Sequence, residues 1–398
     1  MLSLAQAGGA LGTLAVFRSL LDDPVLSAFQ KLCLSQGAPA EKASLCGAFC
    51  AALYQETTDF PGYVLGKALE AETPYVKRQA MGKEIPEALA DTLKSELEIL
   101  EKASSFTVEQ VKQEIKWEGS LPGWTNGAHH FFAAYQEQMD HIAQRGYGIF
   151  ASHHMFTVTE KGLEPVFYPE TVRLADLTGY GREREQAVRN AQALLEGRPA
   201  ANVLLYGDAG TGKSTCVKAI ANEFRDQGLR LVELRKDQLF RLPDLIGRLN
   251  QMPLKFILFI DDLSFSKNDG NFSALKAMLE GSVAAKSPNI VIYATSNRRH
   301  LVLEKFSDRE GDEIHLNDTM QELSSLSARF GLVITFVRPD RELYQEVVRS
   351  YLTLYGIAYN KDVADRAEAY ALQCGGRSPR AARHFAEFLA SQGIGETN

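Results

Sequence analysis

A chain of 398 residues is too long for one ordinary hydrophobic core, so two or three domains are expected, and its 45% apolar share is that of a folded globular protein. The net charge of −7 argues against a dedicated nucleic-acid binder, which carries a basic footprint, but leaves room for a local basic patch. No charged segment precedes an apolar stretch at the N-terminus and no apolar run reaches bilayer-spanning length, so neither a signal peptide nor a membrane span is expected and the chain reads as cytoplasmic.

The first part of the chain reads as helical. Residues 11–33, 40–55 and 86–103 carry apolar positions at the helix period. In the last of these, Leu89, Leu93, Leu97 and Leu100 form one stripe, the core-facing side of a helical bundle. Cys46 and Cys50 share a helix face; with no partner pair at zinc-like spacing they read as small buried apolar residues. The five cysteines are scattered and odd in number, a cytosolic pattern and not a disulfide framework. Residues 117–124 contain Gly119, Pro122 and Gly123 and read as a loop. His129 and His130 open another helical run; as neighbours they point different ways, which disfavours a shared metal. Residues 153–158 and 164–168, separated by Glu160-Lys161-Gly162, read as a small hairpin.

From residue 203 onward, strands and helices alternate. Residues 203–206, 230–234, 256–260, 289–295 and 332–337 read as five buried strands, which implies a parallel sheet with helices on both faces. After Pro339 the strands stop, and residues 341–355, 363–374 and 379–391 read as helices. The expected organisation is a mainly helical N-terminal domain (1–168), an α/β core (169–338) and a C-terminal helical domain (339–398).

Gly207-Asp208-Ala209-Gly210-Thr211-Gly212-Lys213-Ser214 fits G-x-x-x-x-G-K-[ST] in full, after an apolar strand and before a helical run that opens with Thr215. Glycines let successive backbone N–H groups point at phosphate oxygens, and the following helix adds its positive end. Lys213 is expected between the β- and γ-phosphates of ATP, and the Ser214 hydroxyl on Mg²⁺. The alternative is a chance glycine-rich turn. Downstream, residues 256–260 form an apolar strand ending in Asp261 and Asp262. Two carboxylates at a buried strand end are costly unless a cation compensates them. Asp261 is expected to hold Mg²⁺ through its water shell and Asp262 to orient or deprotonate the attacking water. A plain strand-capping acid pair is the alternative.

With these motifs the chain resembles an AAA+ P-loop ATPase from about Leu174 to the C-terminus. Tyr293-Ala294-Thr295-Ser296-Asn297 resembles the first sensor, which implies that Asn297 helps place the water. Leu326-Ser327-Ala328-Arg329-Phe330-Gly331-Leu332 resembles the arginine-finger region, which implies that Arg329 faces a neighbouring subunit's γ-phosphate. Gly376-Arg377-Ser378-Pro379-Arg380-Ala381-Ala382-Arg383 resembles the second sensor, with Arg380 the first choice and Arg377 the alternative. Leu174-Ala175-Asp176-Leu177-Thr178-Gly179-Tyr180 resembles the linker that packs on adenine, although an ordinary loop entering a helix reads the same way.

The pattern is most similar to a bacterial AAA+ ATP-binding family catalogued as a domain of unknown function. That likeness also takes in Leu263-Ser264-Phe265, Leu279-Glu280-Gly281 and the run through Arg298-Arg299-His300-Leu301. Two departures stand out: Asp261-Asp262 where many AAA+ proteins have Asp-Glu, which puts fast turnover in question, and Pro379 where a small residue is common. Arg298-Arg299-His300 reads as a subunit contact or structural ion-pair set in preference to a nucleic-acid contact.

The resemblance implies an ATP-hydrolysing homo-oligomer that remodels or loads a macromolecular partner, a protein in preference to nucleic acid. The N-terminal domain would grip that partner. A nucleotide-gated module with slow hydrolysis and a helicase-loader-like factor are the alternatives.

Overall fold

The computed structural model describes residues 2–263, 275, 279, 287–297 and 329–392. Ser264, Phe265, Glu280, Gly281 and the runs 298–301 and 326–328, which the sequence singled out, lie outside the described residues. The chain divides into two compact units, Met1–Ser152 and His153–Asn398.

The first unit is built of helices: α1 (Leu4–Gly12), α2 (Pro24–Leu34), α3 (Pro39–Leu53), α4 (Phe60–Glu70), α5 (Pro74–Ala80), α6 (Glu87–Ser104), α7 (Val108–Ile115), α8 (Phe131–Asp140), α9 (Ile142–Arg145) and α10 (Ile149–Ser152). The run expected across residues 11–33 is broken. Asp23 takes an extended backbone and caps Val25 and Leu26, and Pro24 starts α2 at its first position. His129 and His130 precede α8 instead of lying in it, and His129 Nε2 is 2.9 Å from Asp59 Oδ2. The α6 stripe packs as expected: Leu93, Leu97 and Leu100 are buried and Leu89 is half-buried. Phe29, Phe49, Phe60 and Trp124 pack ring against ring, and Cys46 and Cys50 are buried.

The second unit carries one sheet of seven strands: β1 (Met155–Thr159), β2 (Gly162–Pro165), β3 (Val203–Gly207), β4 (Leu229–Leu234), β5 (Lys255–Ile260), β6 (Ile290–Ser296) and β7 (Leu332–Phe336), ordered β2-β1-β4-β5-β6-β3-β7. All five expected strands are present and parallel. The two additional ones are the hairpin, which the sequence placed with the helical domain. Met155, Phe156 and Thr157 pair in parallel with Leu231, Val232 and Glu233 of β4. Without β1, β4 would be an edge with a row of unpaired N–H and C=O groups. The unit boundary therefore falls at Ser152 and not at residue 168.

Helices α11 (Gly181–Leu195), α12 (Lys213–Glu223) and α13 (Leu242–Leu249) accompany the sheet. Phe256 to Ile260 of β5 are wholly buried, as a strand covered on both faces requires. Three further helices, α14 (Arg341–Leu354), α15 (Lys361–Gln373) and α16 (Pro379–Ser391), form the lid around Tyr344, Val348, Leu352, Ala367, Phe385 and Leu389. Each starts on a side-chain cap: Asp340, Asn360 and Ser378. Sheet, flanking helices and lid agree with the α/β P-loop NTPase architecture of AAA+ type.

One buried charge organises the start of the chain. Glu96, 3% exposed, accepts from the backbone N–H groups of Ala15 (2.7 Å), Val16 (3.1 Å) and Phe17 (2.9 Å). Glu96→Leu leaves these donors without an acceptor and is expected to cost at least about 2 kcal/mol. Glu96→Gln, which keeps one acceptor oxygen, loses less. Both tryptophans, Trp117 and Trp124, lie in this unit, so urea unfolding followed by tryptophan fluorescence reads its midpoint. Unchanged midpoints for both variants would refute the claim.

Candidate functional site

Strands β5, β6 and β3 are adjacent and parallel, so whatever follows their C-terminal ends meets at one edge of the sheet. After β3 comes the phosphate loop, after β5 come Asp261 and Asp262, and after β6 comes Asn297. The loop geometry depends on glycine. Gly207, with φ +140°, lies so close to β7 that a Cβ there would stand 1.9 Å from the Phe336 carbonyl oxygen. Gly210, with φ +77°, lies against Ser378 and Arg380, and its carbonyl accepts from the Arg380 N–H at 3.2 Å.

Lys213 opens α12 and is only 5% exposed. Its Nζ donates to the carbonyls of Gly207 (2.9 Å) and Asp208 (2.8 Å) and to Asn297 Oδ1 (3.0 Å). Burial pulls this ammonium below the usual lysine range and Arg380 pulls the same way, while Asp208, Asp261 and Asp262 push back. The Asn297 amide nitrogen donates to Asp262 Oδ1 at 2.8 Å. One side chain thus links the loop lysine to the second acid. The first acid is bound differently: Ser214 Oγ donates to Asp261 Oδ1 at 2.6 Å and Thr295 Oγ1 donates to the same oxygen at 2.5 Å. Hydroxyl and carboxylate oxygens in this arrangement are the hard donors that Mg²⁺ takes beside phosphate oxygens.

These groups open onto a cavity of about 510 Å³. Of the expected loop residues, Ala209, Gly210, Thr211, Gly212, Lys213, Ser214 and Thr215 line it, whereas Gly207 and Asp208 act through the carbonyls that hold Lys213. Asp261, Asp262, Asn297 and Arg380 line it too. So do Leu177, Thr178, Gly179 and Tyr180 of the expected linker. That segment is fastened to its surroundings: Thr178 Oγ1 donates to Ser350 Oγ at 2.6 Å, and the Tyr180 hydroxyl donates to the Val337 carbonyl at 2.7 Å. Of the two second-sensor candidates, Arg377 instead pairs with Glu368 at 2.8 Å, whereas Arg380 lines the cavity.

Arg329 is not brought to this cavity. In the β3–β7 register Val203 faces Leu332 and Gly207 faces Phe336. Arg329 precedes Leu332, so it stands at the start of β3, a strand length of about 13 Å from the end that carries the phosphate loop.

Several site residues were not singled out from the sequence. Thr295 lies inside the sensor run, but nothing in its identity separates it from Ser296. Tyr351, Arg383 and His384 line the cavity only because the lid docks there. Arg338 follows β7, and its N–H donates to Asp208 Oδ2 at 3.1 Å.

Over 74 residues the chain is 34% identical to the replication factor C large subunit of Staphylothermus marinus. That stretch is 18% of this chain and 17% of that protein, so the match spans less than a fifth of the relative's length. Among solved structures, Thermotoga maritima RuvB T158V is similar at 17% identity and a TM-score of 0.38, and AMPPCP-bound DnaA from Aquifex aeolicus at 16% and 0.41. Each alignment covers 57% of this chain and 68% of the other. A family model described as "Protein of unknown function (DUF815)" matches residues 150–393. The sheet, phosphate loop and lid have the architecture of an α/β P-loop NTPase. The family match takes in every strand of the sheet and all three lid helices, and the chain accordingly belongs to the DUF815 family.

Proposed function

We propose that the protein binds ATP with Mg²⁺ in the cavity over the phosphate loop and hydrolyses it to ADP and phosphate. The observation that carries this is the chain from the buried Lys213 ammonium through Asn297 to Asp262. It places a cation, a polar amide and a carboxylate in the order that a γ-phosphate and an attacking water require. Lys213 and the loop N–H groups hold the phosphates. Asp262 orients the water and takes its proton as the water oxygen bonds to the γ-phosphorus and the bond to the β-bridging oxygen breaks. Ser214 and Asp261 hold Mg²⁺, which when bound neutralises charge on the phosphate oxygens. Arg380 reaches the nucleotide from the lid, and the contact of its backbone with Gly210 couples lid position to the loop.

The lid movement then drives remodelling or loading of a macromolecular partner, and the helical first unit grips it. A net charge of −7 favours a protein partner. The placement of Arg329 supports assembly: set off by a strand length from its own loop, it serves a neighbouring subunit's γ-phosphate in a homo-oligomer. The second reading, a nucleotide-gated module with slow turnover, is favoured by the short reach of Asp262 in place of Glu. The wild-type turnover number separates the two.

Lys213→Ala is expected to lose ATP binding at working concentrations by calorimetry; wild-type affinity in the variant would remove the phosphate-loop assignment. Asp262→Asn is expected to keep ATP binding and slow turnover by about 10²–10⁴-fold, since an amide takes no proton from water. Turnover at the wild-type rate would show that Asp262 is not the base. Arg329→Ala and Lys213→Ala proteins should each be nearly inactive alone. Mixed and allowed to exchange subunits, they should recover part of the ATPase activity, because some interfaces join an intact loop to an intact finger. No recovery, together with a monomeric mass in ATP and a concentration-independent wild-type rate, would rule out the assembly.

A further inference from the structure

Successive side chains of an extended strand point to opposite faces, so a strand running on through Asp261 and Asp262 would turn one carboxylate away from the cavity. Both nevertheless line it. Asp262 has φ +51°, one of three non-glycine residues with positive φ among the described residues. This left-handed backbone is uncommon outside glycine and persists only where the surroundings over-determine it.

Thr295 supplies that constraint. Ile260, the last residue of β5, pairs with Ala294 of β6, which places Thr295 beside the two acids. Its Oγ1 accepts from the Asp262 N–H at 2.9 Å and donates its own proton to Asp261 Oδ1 at 2.5 Å. Its carbonyl accepts from the Leu263 N–H at 2.7 Å. Thr295 is 2% exposed and Leu263 is wholly buried, so water does not compete for these bonds. A single hydroxyl therefore touches the carboxylate of one acid and the backbone of the other.

We propose that Thr295 is a positioning residue for hydrolysis, its hydroxyl setting Asp261 toward Mg²⁺ and holding the left-handed turn that brings Asp262 into the cavity. The inference rests on the reading that the two acids serve ATP hydrolysis. It assigns Thr295 no contact with nucleotide. It also accounts for the acid at position 262: Asp is enriched several-fold at positive φ, which suits this turn.

The test compares Thr295→Val, which keeps the shape and removes the hydroxyl, with Thr295→Ser, which keeps the hydroxyl. Three quantities are read on the full chain: ATP turnover, ATP affinity across a Mg²⁺ titration, and thermal midpoint. In Thr295→Val, turnover and apparent Mg²⁺ affinity should each fall about 10–100-fold. ATP affinity without Mg²⁺ should stay at the wild-type value, because Lys213 and the loop are untouched. Thr295→Ser should stay close to wild type in all three. Wild-type turnover and Mg²⁺ dependence in Thr295→Val would overturn the proposal. So would a Thr295→Ser variant as impaired as Thr295→Val, since the retained hydroxyl would then fail to hold the acids in place. A wild-type protein that binds ATP without hydrolysing it would sink the hydrolysis reading alone, and the Mg²⁺ titration would still decide whether Thr295 sets Asp261.

Discussion

The buried ammonium of Lys213 is the constraint around which the site is arranged. A lysine at 5% exposure must be compensated, and here the compensation comes from two loop carbonyls and one amide oxygen. Those acceptors are neutral, so they satisfy the donors without neutralising the charge. The carboxylates of Asp208, Asp261 and Asp262 act on it through space. A phosphate oxyanion is the ligand such a cation accommodates best. The tight loop serves the same cation: the Gly207 carbonyl accepts from Nζ at 2.9 Å, and the backbone there passes where a Cβ would strike the Phe336 carbonyl.

From that cation the network runs outward in two branches. Asn297 carries it to Asp262, and Ser214 carries the loop to Asp261. Thr295 then ties the two acids to each other from the neighbouring strand. Each strand of the trio β5, β6 and β3 contributes one component, so the spacing of the site is set by the hydrogen-bond spacing of the sheet, a rigid element. The lid is joined to this platform by backbone, through the Arg380 N–H on the Gly210 carbonyl.

The acid pair illustrates how a local rule is set aside at a site. Strand alternation would separate Asp261 from Asp262, and a left-handed residue brings them together. The departure from Asp-Glu, which from sequence looks like a loss of reach, has a backbone counterpart in that turn.

Much of this protein could be read from its residues in order. The phosphate loop is a contiguous motif whose glycines, lysine and serine each carry a local physical requirement. The apolar runs that became β3 to β6 are buried on both faces and announce themselves by composition, whereas β7, at the edge of the sheet, leaves Val333 exposed. Asp340, Asn360 and Ser378 mark the lid helices by capping, which is likewise local. What sequence could not decide was anything set by pairing between distant segments. The hairpin at 155–165 looks the same whether it stands alone or closes the edge of β4, and only the parallel register with Leu231–Glu233 moved it into the sheet. Thr295 and Ser296 are equivalent hydroxyl residues in a row, and the pairing of Ile260 with Ala294 made one of them the tie between the acids. Arg377 and Arg380 were alternatives until Glu368 on α15 took the first and lid docking turned the second into the cavity. The physical reason is common to all three. Local motifs depend on bond geometry and near neighbours along the chain, whereas these assignments depend on which surfaces meet once the sheet and lid have packed.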